Sequence, residues 1–299
     1  MCKGVFRQIL TFSLLCCFIV TALAQDQDQD QSKGGPEYSF GGDVTPVSKY
    51  LWRGQRLTND WSLQPAMTFG IGGFSFNAWG TMDLTSINEG DSLFIPENPD
   101  APPGDHSGLE GKFSEVDYTF SYAHSFQDVS IDVGTITYTF PERSASLAAT
   151  TEIYGGISFD AVPLAPSVTV YVDVDETSKG GGNTGLYFLL AAGHSFALTH
   201  PVFSGVDLST SVGFANNGFG EFFYGASESG AHDFNFTVSL PLTLGDNWSL
   251  TPFVAYSALL GGFRDHQYLD PRKVHLGTAG SPSDSADTVW GGLTLSLGF

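Results

Sequence analysis

Nine carboxylates are placed where they could act together: Asp43, Asp83, Glu115, Asp117, Asp132, Glu152, Asp173, Asp175 and Asp207. Each falls on the polar side of a stretch in which apolar and polar residues alternate. Within those stretches the basic residues are Lys49 and Arg53; Arg56 and Arg143 lie just past stretch ends. Inward charges can pair to stiffen a fold, but here the acids outnumber the available bases. A carboxylate without a partner keeps its charge only where water or a cation reaches it. If the polar sides line one common space, that space is wet and negative, and it favours cations over anions by the logic of a ring of charge.

Other candidate chemistry is weaker. The histidines are His106, His124, His194, His200, His232, His266 and His275. His232 with Ser227 or Ser229, and His106 with Asp105 and Ser107, are formal Ser–His pairs, but neither stands in a nucleophile elbow or another spaced signature. The histidines lack metal-ligand spacing, so neither a metal nor another cofactor is expected. The alternating carboxylates of 26–31 lack the central glycine and distal glutamate of a calcium loop. All three cysteines lie within the first 17 residues, which removes cysteine-based sites from the mature chain if that segment is cleaved. With 12 basic against 32 acidic residues, nucleic acid is not an expected partner.

The elements that must position the carboxylates follow from the chain's period. Lys3 and Arg7, an apolar run from Ile9 to Val20 and the exit Ala22-Leu23-Ala24 read as a secretory signal peptide over 1–24. A flexible acidic leader spans 25–37, and a single β-domain spans 38–299. From Tyr38 onward the apolar period is two. Val116, Tyr118, Phe120 and Tyr122 alternate with Glu115, Asp117, Thr119 and Ser121, and Leu293, Leu295, Leu297 and Phe299 oppose Gly292, Thr294, Ser296 and Gly298. Twelve such segments are expected: 38–54, 65–71, 74–85, 114–124, 129–141, 149–160, 166–175, 182–198, 203–216, 231–245, 248–261 and 286–299. The connections alternate long and short without a break. A sandwich has no reason to keep its long connections at one end, whereas a membrane-spanning up-and-down antiparallel barrel has short periplasmic turns and long extracellular loops. The polar faces are too wet for a packed core, and the apolar faces suit lipid. The fold class is therefore all-β, a transmembrane barrel of about twelve strands.

Within that frame Tyr50 and Trp52 suit an aromatic girdle at one rim, with Trp248 and Phe299 at the other. Lys49, Arg53 and Arg56 either face the acidic strands across the lumen or anchor the rim. The 217–230 connection carries Phe219, Glu221, Phe222, Phe223 and Tyr224 between glycines. Its aromatics are expected to pack on the barrel's own rim; the alternative is a constriction loop folded inward.

The run Val47-Ser48-Lys49-Tyr50-Leu51-Trp52-Arg53-Gly54 resembles the opening strand of a porin family of bacterial outer membranes, whose members begin V-S-x-Y-x-[FW]-R-G. The likeness continues through Gln64-Pro65-Ala66 and Gly80-Thr81, about the first fifth of the chain; Lys49 and the proline-rich insertion at 86–113 depart from it. The terminal Phe299 also resembles the signal that such barrels present to the assembly machinery. The resemblance implies a Gram-negative outer-membrane barrel with lipid, that machinery and small solutes as partners. The expected function is passive, porin-like diffusion with a cation preference. The alternative is a non-conducting barrel whose loops bind a ligand or partner; an outer-membrane lipid-modifying enzyme ranks last.

Overall fold

The computed structural model describes residues 37–58, 60–85, 110–141, 149–175, 184–200, 202–224, 226–266 and 286–299. Twelve antiparallel strands close into a barrel. They are β1 Tyr38–Val47, β4 Ser62–Ile71, β5 Phe74–Asp83, β6 Phe113–Phe126, β7 Val129–Thr139, β8 Thr150–Phe159, β9 Ser167–Asp173, β10 Leu186–Ala197, β11 Gly205–Ala215, β12 Gly230–Ser239, β14 Trp248–Leu259 and β15 Asp287–Gly298. Each pairs with its neighbours in sequence order. The sheet closes where β1 meets β15, with Asp43 opposite Ser296, and β12 pairs directly with β14, with Phe236 opposite Tyr256. The short β13, Leu242–Thr243, only flanks β14.

The wall is inverted relative to a protein that folds in water. Phe120 is 60% exposed, Met67 60% and Val254 59%, while Asp117 on the opposite face of β6 is 0% exposed. Hydrocarbon offers no hydrogen bonds, so a spanning sheet must pair every backbone group and turn its apolar face outward. At the end holding the chain termini the connections are short. Gly72 takes φ 59° in the two-residue turn between β4 and β5, a conformation that side chains disfavour. An aromatic band rings this end: Phe74 packs on Tyr122 at 4.8 Å and Tyr38 on Phe69 at 6.4 Å, with Trp248 and Phe299 both exposed. The inner face near this end is small and polar; the Ser75 and Ser121 hydroxyls lie 2.7 Å apart, and Tyr154 donates to Asp132 at 3.1 Å.

Several expected boundaries shift. The leading strand leaves the wall at Val47 rather than at 54, because a bend at Ser48–Lys49 turns the chain inward and 50–58 form a separate hairpin. It consists of β2, Tyr50–Trp52, and β3, Gln55–Thr58. The expected 231–245 strand stops at Ser239, ahead of Pro241, whose missing N–H cannot continue a ladder. Two helices, α1 Asn217–Tyr224 and α2 Phe263–His266, lie in connections at the end opposite the termini. The expected signal peptide and almost all of the leader lie outside the described residues.

Val133, on the outer face near the middle of β7, is 47% exposed. Val133→Arg places a charge in hydrocarbon and is expected to lower the stability of the barrel in phospholipid vesicles by about 2–4 kcal/mol. Urea unfolding of the reconstituted protein measures it; an unchanged midpoint would mean that this face meets water.

Candidate functional site

The β2–β3 hairpin is folded into the barrel. Tyr50, Leu51, Trp52, Arg53, Gly54, Gln55, Leu57 and Thr58 are all buried, and of the hairpin only Arg56 is half-buried. Its turn is built from Arg53 at φ 47° and Gly54 at φ 75°, the paired left-handed conformation of a tight hairpin. Gly54 is required twice over: beyond its φ, an added Cβ would lie 2.6 Å from the Cβ of Asp233 on β12 and 3.2 Å from Leu259 on β14. The near side of the hairpin is fastened to the wall it leaves: Thr58 donates to Asp83 at 3.2 Å, and the Tyr50 hydroxyl to Glu115 at 2.9 Å. Tyr50 also packs on Trp79 at 5.6 Å. With anchors on β5 and β6 and its tip against β12 and β14, the hairpin reaches across the lumen.

Arg53 is the centre of this arrangement. Its Nη1 and Nη2 donate to both oxygens of Glu152 on β8, at 2.7 and 2.6 Å, and both side chains are buried. Tyr138 donates to the same carboxylate at 2.8 Å. Four rings surround the guanidinium: its Cζ lies 4.1 Å from the centroid of Tyr187, 4.5 Å from Trp52, 4.8 Å from Tyr171 and 5.4 Å from Phe219. A side chain in the left-handed region costs roughly 1–2 kcal/mol. Removing one partner of a buried ion pair costs about 3–5 kcal/mol, and a desolvated cation–π contact adds up to about 2 kcal/mol. The contacts therefore outweigh the strain, and Arg53 stays in its unfavourable conformation.

Helix α1 covers the hairpin from the other side. Asn216 starts it, its side-chain oxygen accepting the Phe219 N–H at 3.0 Å, the usual way to satisfy an exposed first-turn amide. Phe219 stacks on Trp52 at 6.0 Å and an interplanar angle of 14°, and Phe223 meets the same ring at 4.8 Å. Tyr224 is buried as well, and burial, reinforced by the Asp233 carboxylate, pushes its phenol well above the ordinary range. Glu221 and Phe222 face outward. Phe219, Phe223 and Tyr224 thus meet one another on the inner side of the connection.

Behind the rings lies a second polar centre. Asp233 accepts from the Tyr187 hydroxyl at 2.7 Å and from Asn235 at 2.6 Å, and His232 Nδ1 lies 2.7 Å from it. His232 is enclosed by Phe263, Phe219, Tyr224 and Tyr187, and its Nε2 has no hydrogen-bond partner. Ser227 accepts instead from Asn217 at 2.9 Å. No Ser–His pair forms at His232, and His106, Ser107 and His275 lie outside the described residues.

The remaining acids are distributed around the interior. Asp83, Glu115, Asp117, Glu152, Asp173 and Asp207 are buried, whereas Asp43, Asp132 and Asp175 are half-buried. The hairpin takes hold of Glu115 through Tyr50 and of Glu152 through Arg53, whereas Asp43, Asp132 and Asp207 lie nearer the termini. Thr150 satisfies Asp173 at 2.6 Å. Lys49 and Arg56 are half-buried. Tyr50 and Trp52 do not belong to a girdle: both are buried inside the barrel, since the chain carrying them has left the wall. Tyr138, Tyr171, Tyr187 and Asp233 complete the site and were not anticipated. Tyr171 and Tyr187 occupy inward positions of their strands, so a bulky ring among small polar neighbours was the available signal.

A family model described as "Bacterial protein of unknown function (Gcw_chp)" matches residues 31–216, which take in β1 to β11 and the hairpin. Among solved structures, the NanC porin is similar over 86% of this chain and 98% of its own, at 11% identity and a TM-score of 0.49. An outer membrane channel from Pseudomonas putida F1 covers 92% of this chain and 100% of its own, at 9% identity and a TM-score of 0.43. Outer membrane phospholipase A from Escherichia coli covers 91% and 94%, at 11% identity and a TM-score of 0.40. No curated protein sequence matches the chain. With more than half of its length matched, the chain belongs to the Gcw_chp family of bacterial proteins.

Proposed function

We propose that the protein is a porin-like channel of the bacterial outer membrane that passes small solutes, prefers cations, and is narrowed at its extracellular mouth by the β2–β3 hairpin and α1. The lumen-facing burial of carboxylates supports this reading above all. Glu115, Asp117, Asp173 and Asp207 are buried on the inner face of strands whose outward neighbours are apolar. Carboxylates gathered on the inner face of a barrel give its interior a negative lining, which favours cations over anions. The outer membrane is the fitting location because a closed antiparallel barrel with an apolar outer band and an aromatic rim is the form in which strands cross that bilayer. The small side chains around Ser75 and Ser121 leave the periplasmic half for water. A non-enzymatic role accords with His232, whose free ring nitrogen faces aromatic rings rather than a nucleophile.

One observation favours a second reading. All of the hairpin's described residues but Arg56 are buried, which favours a barrel shut in this state with its outer loops as the working surface. Planar-bilayer recordings separate the two. A channel gives discrete steps, and its reversal potential in a salt gradient takes the sign of cation preference; a sign indicating anion preference would overturn the selectivity. Deleting 49–60 and joining the ends with a short glycine linker is expected to enlarge the steps. Silence from both proteins, with folding verified by the heat-dependent gel shift of an intact barrel, would leave the closed binding barrel.

A further inference from the structure

The surroundings of Arg53 form a cation-binding site in their own right, and we infer that the site takes an organic cation of the guanidinium or quaternary-ammonium class, with Arg53 acting as a tethered occupant that such a solute displaces. Three of the four rings around the guanidinium belong to elements other than the hairpin: Tyr171 on β9, Tyr187 on β10 and Phe219 on α1. Glu152, on β8, supplies both carboxylate oxygens in the planar geometry that a guanidinium matches. The receptor half therefore stands on the barrel wall and α1, and the occupant arrives on a separate hairpin.

Each part of the receptor is held from behind. Tyr138 donates to Glu152 at 2.8 Å, and Tyr187 donates to Asp233 at 2.7 Å. Tyr171 packs on Tyr154 at 5.5 Å and on Tyr187 at 6.0 Å. A cage of aromatic faces plus one carboxylate is the arrangement by which proteins select delocalised or alkylated cations over strongly hydrated ones such as sodium. The occupant is the part not built on the wall: Arg53 sits at φ 47° at the tip of a hairpin that joins β1 through the bend at Ser48–Lys49. A solute with the same head group takes over the contacts at Glu152 and the rings without imposing that backbone. Its entry moves the hairpin, which spans the lumen, so binding and widening of the mouth are one event.

The inference rests on solutes reaching the lumen, as the channel reading holds, but binding to detergent-folded protein tests it without any conductance. Methylguanidinium is titrated into R53A at constant ionic strength, following the fluorescence of Trp52 beside the site. Saturable binding is expected for R53A, with sodium chloride as the silent control. The wild type should need ~10-fold or more higher concentration, because its own side chain competes. R53A/E152Q should lose binding by a similar factor, the carboxylate charge being gone. R53K, which keeps a positive charge but not the planar fork, guards against a folding defect in R53A and should bind more tightly than the wild type. No saturable response from folded R53A and R53K, or equal binding with and without Glu152, would overturn the site. In bilayers, methylguanidinium should enlarge wild-type steps; intact binding with no steps in any protein would overturn the channel and leave the site standing.

Discussion

Hydrocarbon cannot hydrogen-bond, and every level of this structure answers to that. A strand in the bilayer must give each N–H and C=O to another strand, so the sheet has to close, and the join between β1 and β15 is as necessary as any pairing between sequence neighbours. Closure fixes which residues face inward. Because side chains alternate, one face of every strand goes to lipid and the other to an enclosed space, and the period of two seen along the chain is the record of that division.

The enclosed space must then be filled with water or with protein. Near the termini the inner face is small and hydroxylic; towards the opposite end the chain doubles back through Arg53 and Gly54 and sends a buried strap across the lumen. The strap needs a strained turn, and the strain persists because a paired, ring-enclosed guanidinium is worth more than the local backbone cost. The same aromatic layer that surrounds Arg53 continues through Phe219 into α1 and to His232 and Phe263, so the wall, the strap and the covering helix share one core.

Most of the wall was legible from the residues alone. Alternation located all twelve strands and separated inward from outward side chains, since a face in contact with lipid tolerates few exceptions. The site was less legible, for a specific reason. Tyr50 and Trp52 continue the alternating rhythm of β1, and a period of two cannot distinguish a strand that stays in the wall from one that bends at Ser48–Lys49 and pairs with itself. The Arg-Gly dipeptide at the turn is visible, but the period of two alone places it within a strand. The glycines flanking Phe219 likewise suggested a loop, although Asn216 is well suited to begin a helix. The interior partners of Arg53 come from strands far apart in the chain, and no local pattern joins Arg53 to Glu152 or Tyr187.

The seam between first and last strands has a temporal side. Inside the barrel the Thr45 and Thr294 hydroxyls meet at 3.0 Å across 249 positions of sequence, and at the rim Phe40 and Phe299 exchange backbone hydrogen bonds at 3.1 and 2.8 Å. Neither contact exists until β15 is in place, and until then the sheet has two open edges and no means of sealing them. The strap beside β1 must wait as well, since Glu152 and Asp233 are brought within its reach only as the sheet curls. Biogenesis thus ends with a zipper pulled from both sides at once, and a chain interrupted anywhere before its last strand remains an open ribbon.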